Sequence, residues 1–486
     1  MTLSARLIVA VRTNSHFLTH RAITVSDEKK PTKKLIEPRT LKGFRDFLPE
    51  AMIPREKLIA RVTEVYRNYG FCPIDTPVLE YLEILMGKGS DETDKQLYRF
   101  KDPGGREVGM RFDLTVPFAR FSAQHLAEIG VPFKRYHLAK VWRGENTQAG
   151  RYREFMQCDF DTIGTTSVNS DIETALVIND VLERVDPRSD DSFTKFQIHI
   201  NSRKILTGAL EKLGLVEKAT PVLRALDKLA KIGPDAVVAE MAETAGATEE
   251  QARTILSVAA AQGSNDEILQ KLESLLQGSE LGLRGVNELR QILDATAAAG
   301  VPEERFIVDV SIARGLDYYT GAIYESFLTE LPKLGSVCSG GRYDNLAELY
   351  TKQTLPGVGA SLGLDRLFAG LEELGMLEKT SSTVDVFLPL FDENLTTKYF
   401  EIAANLRRKG IGVELYPEPK KLGAQLKYAD RKGIRFALVI GSDEVQRGVA
   451  NLKDLRSGGQ KEIALDSVAE SVLEALASNP SPQKNP

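Results

Sequence analysis

The chain has 486 residues, 42% of them hydrophobic, and a formal net charge of −5. That length exceeds a single core of about 100–200 residues, so two or three domains are expected. No apolar run approaches the roughly 20 residues that span a bilayer, so no membrane partner is expected, and a mildly acidic chain meets nucleic acid only through local basic patches.

The first 26 residues contain no Asp or Glu but carry Arg6, Arg12 and Arg21. Such a start reads as an organellar transit peptide or, preferably, as a disordered or misassigned lead-in. Residues 1–37 are taken as a flexible extension, with Lys29, Lys30, Lys33 and Lys34 solvated. From Leu41 the pattern becomes globular. Leu58, Ile59, Val62 and Val65 predict an amphipathic helix over 53–69, ended by Gly70. Residues 71–77 read as a Pro-punctuated edge segment. Residues 98–100 and 107–112 flank Asp102-Pro103-Gly104-Gly105 and predict a hairpin. Two strand-like runs, 137–142 and 155–160, enclose a polar loop from Arg143 to Arg153. A helix over 171–185 and a strand over 196–200 follow.

Residues 203–302 are rich in Ala, Leu, Glu and Lys and read as an all-helical insertion. Strand character returns at 306–310 and 320–327, and a helix over 364–374 closes the first large domain, 38–376. After a polar linker at 377–383, strands at 384–389, 412–415 and 436–440 alternate with helices at 397–409, 422–432 and 467–476. That alternation predicts a small α/β domain, 384–477, with a mixed sheet. Residues 478–486 read as a disordered tail.

The usual nucleotide signals are missing. There is no GxxxxGK[ST] loop and no GxGxxG after a strand, and the spacing of Gly357, Gly359 and Gly363 fits neither. Five histidines without HExxH, and three scattered cysteines (Cys72, Cys158, Cys338), predict no metal site and no disulfide framework, which fits a reducing compartment. Arginines carry more information. Arg143 follows a strand-like run, Arg314 precedes Gly315-Leu-Asp-Tyr-Tyr319, and Arg366 opens a helix after two glycines. Their planar forks suit a polyanion; three ordinary ion pairs are the alternative.

Longer motifs decide between these. The run from Phe133 to Asp161, containing Arg143-Gly-Glu145, Gln148 and Arg153-Glu-Phe-Met-Gln157-Cys-Asp-Phe-Asp161, resembles motif 2 of the histidyl-tRNA synthetases. Ala313-Arg314-Gly-Leu-Asp-Tyr318-Tyr319-Thr-Gly321 and Gly340-Gly341-Arg342-Tyr343-Asp344 are similar to that family's histidine-binding motifs. Gly357 to Arg366 resembles motif 3, and Pro77 the motif 1 proline at a dimer interface. The resemblance runs from about Leu41 to Val472.

It implies an α+β fold: a class II antiparallel sheet flanked by helices, with a helical insertion and a C-terminal α/β anticodon-binding domain. It also implies a cytoplasmic homodimer that joins L-histidine to tRNA(His) using ATP with Mg²⁺, or an organellar one if residues 1–26 are a transit peptide. By the same resemblance Arg143 and Arg314 are catalytic, contacting the α-phosphate region. Arg143, Glu145 and Arg366 hold ATP. Asp113, Leu114, Thr115, Gln157, Asp161, Arg314, Tyr318, Tyr319 and Tyr343 form the histidine pocket. Asp113 stands where some members carry Glu followed by Gly and others Asp followed by Leu, as here. Gln148 lies where the family meets the tRNA acceptor end. Lys421, Gln425, Lys427, Tyr428 and Arg431, with Lys420, Lys432 and Arg435 nearby, are candidate anticodon-side contacts, a solvated helix face being the alternative. Relatives that only regulate histidine biosynthesis typically lack the equivalents of Arg314 and of the anticodon domain; this sequence has both.

Overall fold

A computed structural model of the chain describes residues 35–86, 95–148, 150–185, 195–226, 228–312, 319–377 and 380–478. The predicted extension to residue 34 and the tail from 479 lie outside these, as do Arg314 and Tyr318. The chain divides into Met1–Leu41 and Lys42–Pro486, and the second unit holds every helix and strand named below.

The predicted first helix spans Pro49–Asn68 and buries Leu58, Val62, Val65 and Tyr66 on one side. It stops at Gly70, whose φ of 77° an L-residue rarely adopts. Short strands follow: β1 (Cys72–Pro73), β2 (Leu79–Tyr81), β3 (Arg99–Lys101) and β4 (Glu107–Met110). β3 and β4 pair antiparallel as the predicted hairpin, with β2 on the other side of β4.

The large sheet uses β1, β5 (Phe133–Trp142), β6 (Glu154–Ile163), β7 (Phe196–Ser202), β8 (Phe306–Val308), β9 (Ala322–Leu328), β10 (Cys338–Tyr343) and β11 (Gly357–Gly363). Their order is β1-β5-β6-β11-β10-β9-β7-β8, antiparallel except for the two edge pairs. One face carries Tyr136, Cys158, Phe160, Tyr324, Val358 and Leu362, which share a core with the helices Pro49–Asn68, Val168–Arg184, Glu280–Ala298 and Leu364–Glu373. Arg342 on β10 pins this layer, its guanidinium meeting the Asp171 carboxylate of Val168–Arg184 at 2.5–3.1 Å.

The helical stretch is less separate than its texture suggests. Its first and last helices, Arg203–Lys212 and Glu280–Ala298, pack closely through glycine, since a Cβ on Gly208 would lie 2.5 Å from the Gly282 nitrogen. Asn265 donates to the Phe306 carbonyl and accepts from the Val308 amide, tying the helix Asn265–Leu275 to β8. The insertion therefore shares the core of the large sheet.

The C-terminal sheet contains β12 (Val386–Leu388), β13 (Val413–Leu415), β14 (Phe436–Val439), β15 (Val449–Asp454) and β16 (Gln460–Ala464), in the order β13-β12-β14-β15-β16. Its first three strands are parallel and the last two antiparallel. The β15–β16 hairpin is not apparent from the sequence pattern. Val386 and Leu388 face one core and Phe387 the other, as strand alternation requires.

Candidate active site

Strand β6 sorts its residues by alternation. Cys158 and Phe160 enter the helix-covered core, while Gln157, Asp159 and Asp161 face the other side. In register stand Ala139, His137 and Arg135 on β5, and Gly363, Ser361 and Gly359 on β11. Above this floor lies a cavity of about 260 Å³. Asp113, Thr115, Arg143, Gln157, Asp161, Tyr319 and Tyr343 line it, all nominated from the sequence, together with Asp159, Ile323, Glu325, Ser339 and Ser361, which were not.

Glycine keeps the floor open. A Cβ on Gly359 would come within 2.2 Å of the Phe160 carbonyl oxygen and 2.3 Å of Asp161 Oδ1, and one on Gly341 within 2.9 Å of the Tyr319 ring. The Gly-rich segment is thus neither a turn nor a phosphate loop but a central strand, bare because side chains have no room.

Asp161 is buried and held from two sides. Tyr343 donates its hydroxyl to Oδ1 at 2.6 Å, and Arg135 Nη2 lies 2.5 Å from Oδ2. Burial raises its pKa, against the opposing pull of Arg135 and Tyr343. Arg135 is itself wholly buried, with its guanidinium over the Phe118 ring at 4.3 Å. Burial pushes Asp159 up to about 7, with Arg135 opposing and Asp161 adding to the rise. Asp113 is also raised by burial, although its Oδ1 accepts from the Val116 amide at 3.1 Å and Arg143 favours its charge. Gln157 donates Nε2 to Ser361 Oγ at 2.8 Å.

Arg143 is fixed by Nε donating to the Phe112 carbonyl at 2.8 Å, with its guanidinium 5.2 Å from the centre of the Phe155 ring. Its Nη1 lies 3.8 Å from Glu145, whose other oxygen is 3.9 Å from Arg151. Gln148 is exposed at the tip of this loop, where its backbone bridges to Arg151. Arg366 lies outside the cavity wall, with Nη1 donating to the Ser336 carbonyl at 2.5 Å. Leu114 is fully buried against Ala139 and Val141, so its side chain does not line the cavity, and only its backbone is placed to serve a ligand there.

At the C-terminal candidates the structure corrects the sequence-based expectation. Gln425 is fully buried, its amide bonded to the Leu390 backbone through both N–H and C=O and to the Lys420 carbonyl. It holds a loop and has no free edge for a base. Arg435 is likewise buried, near Asp454. Lys421, Lys427 and Arg431 are exposed. Tyr428 stacks edge-on with Tyr416 and donates its hydroxyl to Glu414 at 2.6 Å.

Comparison with known proteins decides the lineage. The family model described as histidyl-tRNA synthetase matches residues 43–367, and that of an anticodon binding domain matches 384–475. The chain belongs to the histidyl-tRNA synthetase family. It is similar to a histidine–tRNA ligase of Rhodopirellula baltica, 57% identical over 443 residues, covering 91% of this chain and 99% of that one. A histidine–tRNA ligase of Wolinella succinogenes is 45% identical over 442 residues, covering 90% and 99%. The crystal structure of histidyl-tRNA synthetase from Nostoc sp. PCC 7120 superposes with a TM-score of 0.82 at 36% identity, covering 91% of this chain and all of that one. A Bacillus halodurans structure titled as an ATP phosphoribosyltransferase regulatory subunit/histidyl-tRNA synthetase, at 22% identity and a TM-score of 0.69, shares the fold. Histidyl-tRNA synthetases join histidine to tRNA(His) through an aminoacyl-adenylate.

Proposed function

We propose that the cavity on β6, β9, β10 and β11 binds L-histidine beside the α-phosphate of ATP, and that the chain attaches histidine to tRNA(His). A histidine carboxylate oxygen attacks the α-phosphorus, the bond to the β-phosphate oxygen breaks, and pyrophosphate leaves. The terminal ribose hydroxyl of the tRNA then attacks the carbonyl carbon of the adenylate and AMP departs. The observation carrying this reading is convergence: seven residues from five separate stretches of sequence, Asp113 to Tyr343, line one cavity.

Acidic and amide oxygens of Asp113 and Gln157 suit the substrate ammonium, with Thr115 at the start of the helix Thr115–Gln124. Asp161, Tyr319 and Tyr343 suit the imidazole, because a buried polar wall left unpaired by an apolar rival rejects it. Arg143, held rigidly between Phe112 and Phe155, is placed to neutralise charge on the α-phosphate with little reorganisation. By family resemblance Arg314 shares that role, Tyr318 is a histidine-binding residue, and Glu145 and Arg366 belong to the nucleotide. Magnesium enters as part of the metal–ATP complex, with phosphate oxygens as ligands. Residues 38–376 form the catalytic unit and 384–477 the anticodon unit.

Two further features belong to this reading. Val78, Leu79, Tyr81, Met86 and Phe100 are exposed on and beside β2 and β3, an apolar group of the kind that marks a protein interface, here the homodimer's. Cys158 and Cys338 are buried free thiols, in keeping with a reducing cytoplasm. The direct test is ATP–pyrophosphate exchange with each of the twenty amino acids. Exchange with histidine alone supports the reading; exchange with none, from folded protein with magnesium present, overturns it.

A further inference from the structure

Between the stretches that carry Arg143 and Arg366 stands another arginine with no role in the reading above. Arg45 precedes the first helix, Pro49–Asn68, and does not line the cavity. Its guanidinium lies over the rings of Phe47 and Tyr152, 4.3 and 3.9 Å from their centres. Nη1 donates to the Tyr152 hydroxyl at 3.0 Å and Nη2 to Asp365 Oδ1 at 2.5 Å. Tyr152 belongs to the loop from Arg143 to Arg153. Asp365 belongs to the first turn of the helix Leu364–Glu373, one residue before Arg366. Arg45 therefore bridges the loop and the helix.

Gly43 adds a second tie to the same loop. Its carbonyl accepts from the Arg153 amide at 2.9 Å, and a Cβ there would lie 2.8 Å from Arg153 Cγ and 2.9 Å from Thr147 Cγ2. Arg153 carries the tie to the nucleotide side. Its carbonyl accepts from the Arg143 amide at 2.9 Å, and its Nε donates to the Glu145 carbonyl at 3.2 Å. The charge of Arg45 is not what Asp365 needs. Arg55, buried to 3% exposure, meets both oxygens of that carboxylate at 2.9 Å, and the Met156 amide donates to it at 2.7 Å. Without Arg45, whose side chain is 26% exposed, Asp365 stays paired and only the link to Tyr152 is lost. That link depends on a planar fork that lies on a ring while donating at both ends. We infer that Arg45 is a positioning residue, fixing the loop against the helix so that Arg143, Glu145 and Arg366 are in place before ATP arrives. Its effect falls on ATP and not on histidine, because Asp113, Gln157 and Tyr343 are held by Val116, Ser361 and Asp161 instead.

This inference rests on the proposal that Arg143, Glu145 and Arg366 hold ATP, and the experiment separates the two. Histidine-dependent pyrophosphate exchange is measured for the parent, Arg45→Met, Arg45→Lys and Tyr152→Leu, varying ATP and histidine in turn, together with each melting temperature. Arg45→Met should lower kcat/KM for ATP roughly 10- to 100-fold, as a misplacement of about 1 Å in aligned groups can do. KM for histidine and the melting temperature should stay near those of the parent. Tyr152→Leu should behave alike, and the double variant should lose little more than either single one, since one contact serves both. Should Arg45→Met not fold, Tyr152→Leu carries the comparison with the Arg45–Asp365 pair untouched. Arg45→Lys keeps the charge but not the fork and should not restore the ATP kinetics; full recovery in it would show that charge alone matters and overturns the inference. Parent-like ATP kinetics in Arg45→Met and Tyr152→Leu, or a fall for both substrates that follows a lowered melting temperature, overturns it too. Parent-like ATP kinetics in Arg143→Ala and Arg366→Ala would instead overturn the nucleotide reading beneath it.

Discussion

Asp159 and His137 face one another across β6 and β5, and the fold shifts them in opposite directions. Burial, then Arg135 and Arg111, lowers His137 from 6.5 to about 4 despite Asp75 beside it. A lowered histidine binds fewer protons folded than unfolded, so its stabilisation is present above pH 6.5 and is lost as pH falls toward about 4. Asp159, raised from 3.8 to about 7, does the converse, favouring the fold at low pH and losing that contribution as pH rises through this range. In the parent the two offset each other. Denaturant melts at pH 4.5 and 6.5 should therefore separate them. Relative to the parent, Asp159→Asn becomes more stable as pH rises, and His137→Gln becomes less so. Parallel behaviour of the two variants would mean that one of the shifts has the wrong sign. Arg143 carries the second prediction. Arg143→Ala should slow histidine-dependent exchange by roughly 100-fold, as for removal of one aimed charge stabiliser, with thermal stability little changed because the side chain is part-exposed. Normal exchange would remove it from the reacting centre. Most of these residues were legible because long motifs announced them. Asp159 was not, although the spacing Gln157, Asp159, Asp161 puts three polar groups on one face of a strand. Gln425 was misread because a helix periodicity tells which residues share a face but not which face meets the core.

At the scale of elements, the strands easiest to read were those with β-branched or aromatic alternation, such as β5 and β9. β10 and β11 were not among the strands read from the sequence, because glycine is poor in strands. The reason for their glycines is positional. β10 and β11 cross the sheet centre between β9 and β6, where Tyr319, Tyr343 and Asp161 occupy the space that side chains would take. Gly359→Ala should therefore abolish histidine-dependent exchange, since its methyl would meet a backbone oxygen at 2.2 Å and Asp161 at 2.3 Å, neither able to move away cheaply. Ala at Gly105, where no atom lies within 4 Å but φ is 78°, is the control: it should cost only the backbone strain and leave exchange intact. Full activity in Gly359→Ala would show that β11 can shift and that the pocket floor is not rigid. The helical insertion shows the opposite limit of legibility. Its texture was plain, but the Gly208–Gly282 approach that joins it to the main core depends on tertiary packing, which composition does not encode.

For the whole molecule, a large sheet with its helices and a small mixed sheet invite assignment of activation and tRNA reading to separate bodies. Both were legible as a change of pattern at the linker 377–383, whereas the apolar group Val78, Leu79, Tyr81, Met86 and Phe100 was not, because exposure is visible only after folding. If that group is the dimer contact, sedimentation should give about twice the chain's mass, and Tyr81→Glu with Phe100→Glu should shift it toward the monomer. An unchanged dimer would place the contact elsewhere. The basic helix Leu422–Arg431 tests the division of labour. Lys427 and Arg431 are four residues apart, so they share one exposed face, and Lys421 stands at its start. Contacts of this kind go to phosphates, whose neutralisation releases counter-ions and makes binding salt-dependent. Lys427→Ala with Arg431→Ala should raise KM for tRNA and flatten the log–log salt dependence of binding by roughly one unit for each phosphate no longer neutralised. Exchange without tRNA should be unchanged, because neither residue lines the cavity. If tRNA affinity and its salt slope stay as in the parent, this face is only solvated, and the anticodon arm must be held elsewhere, with the Tyr416–Tyr428 stack and Glu414 as the next groups to replace.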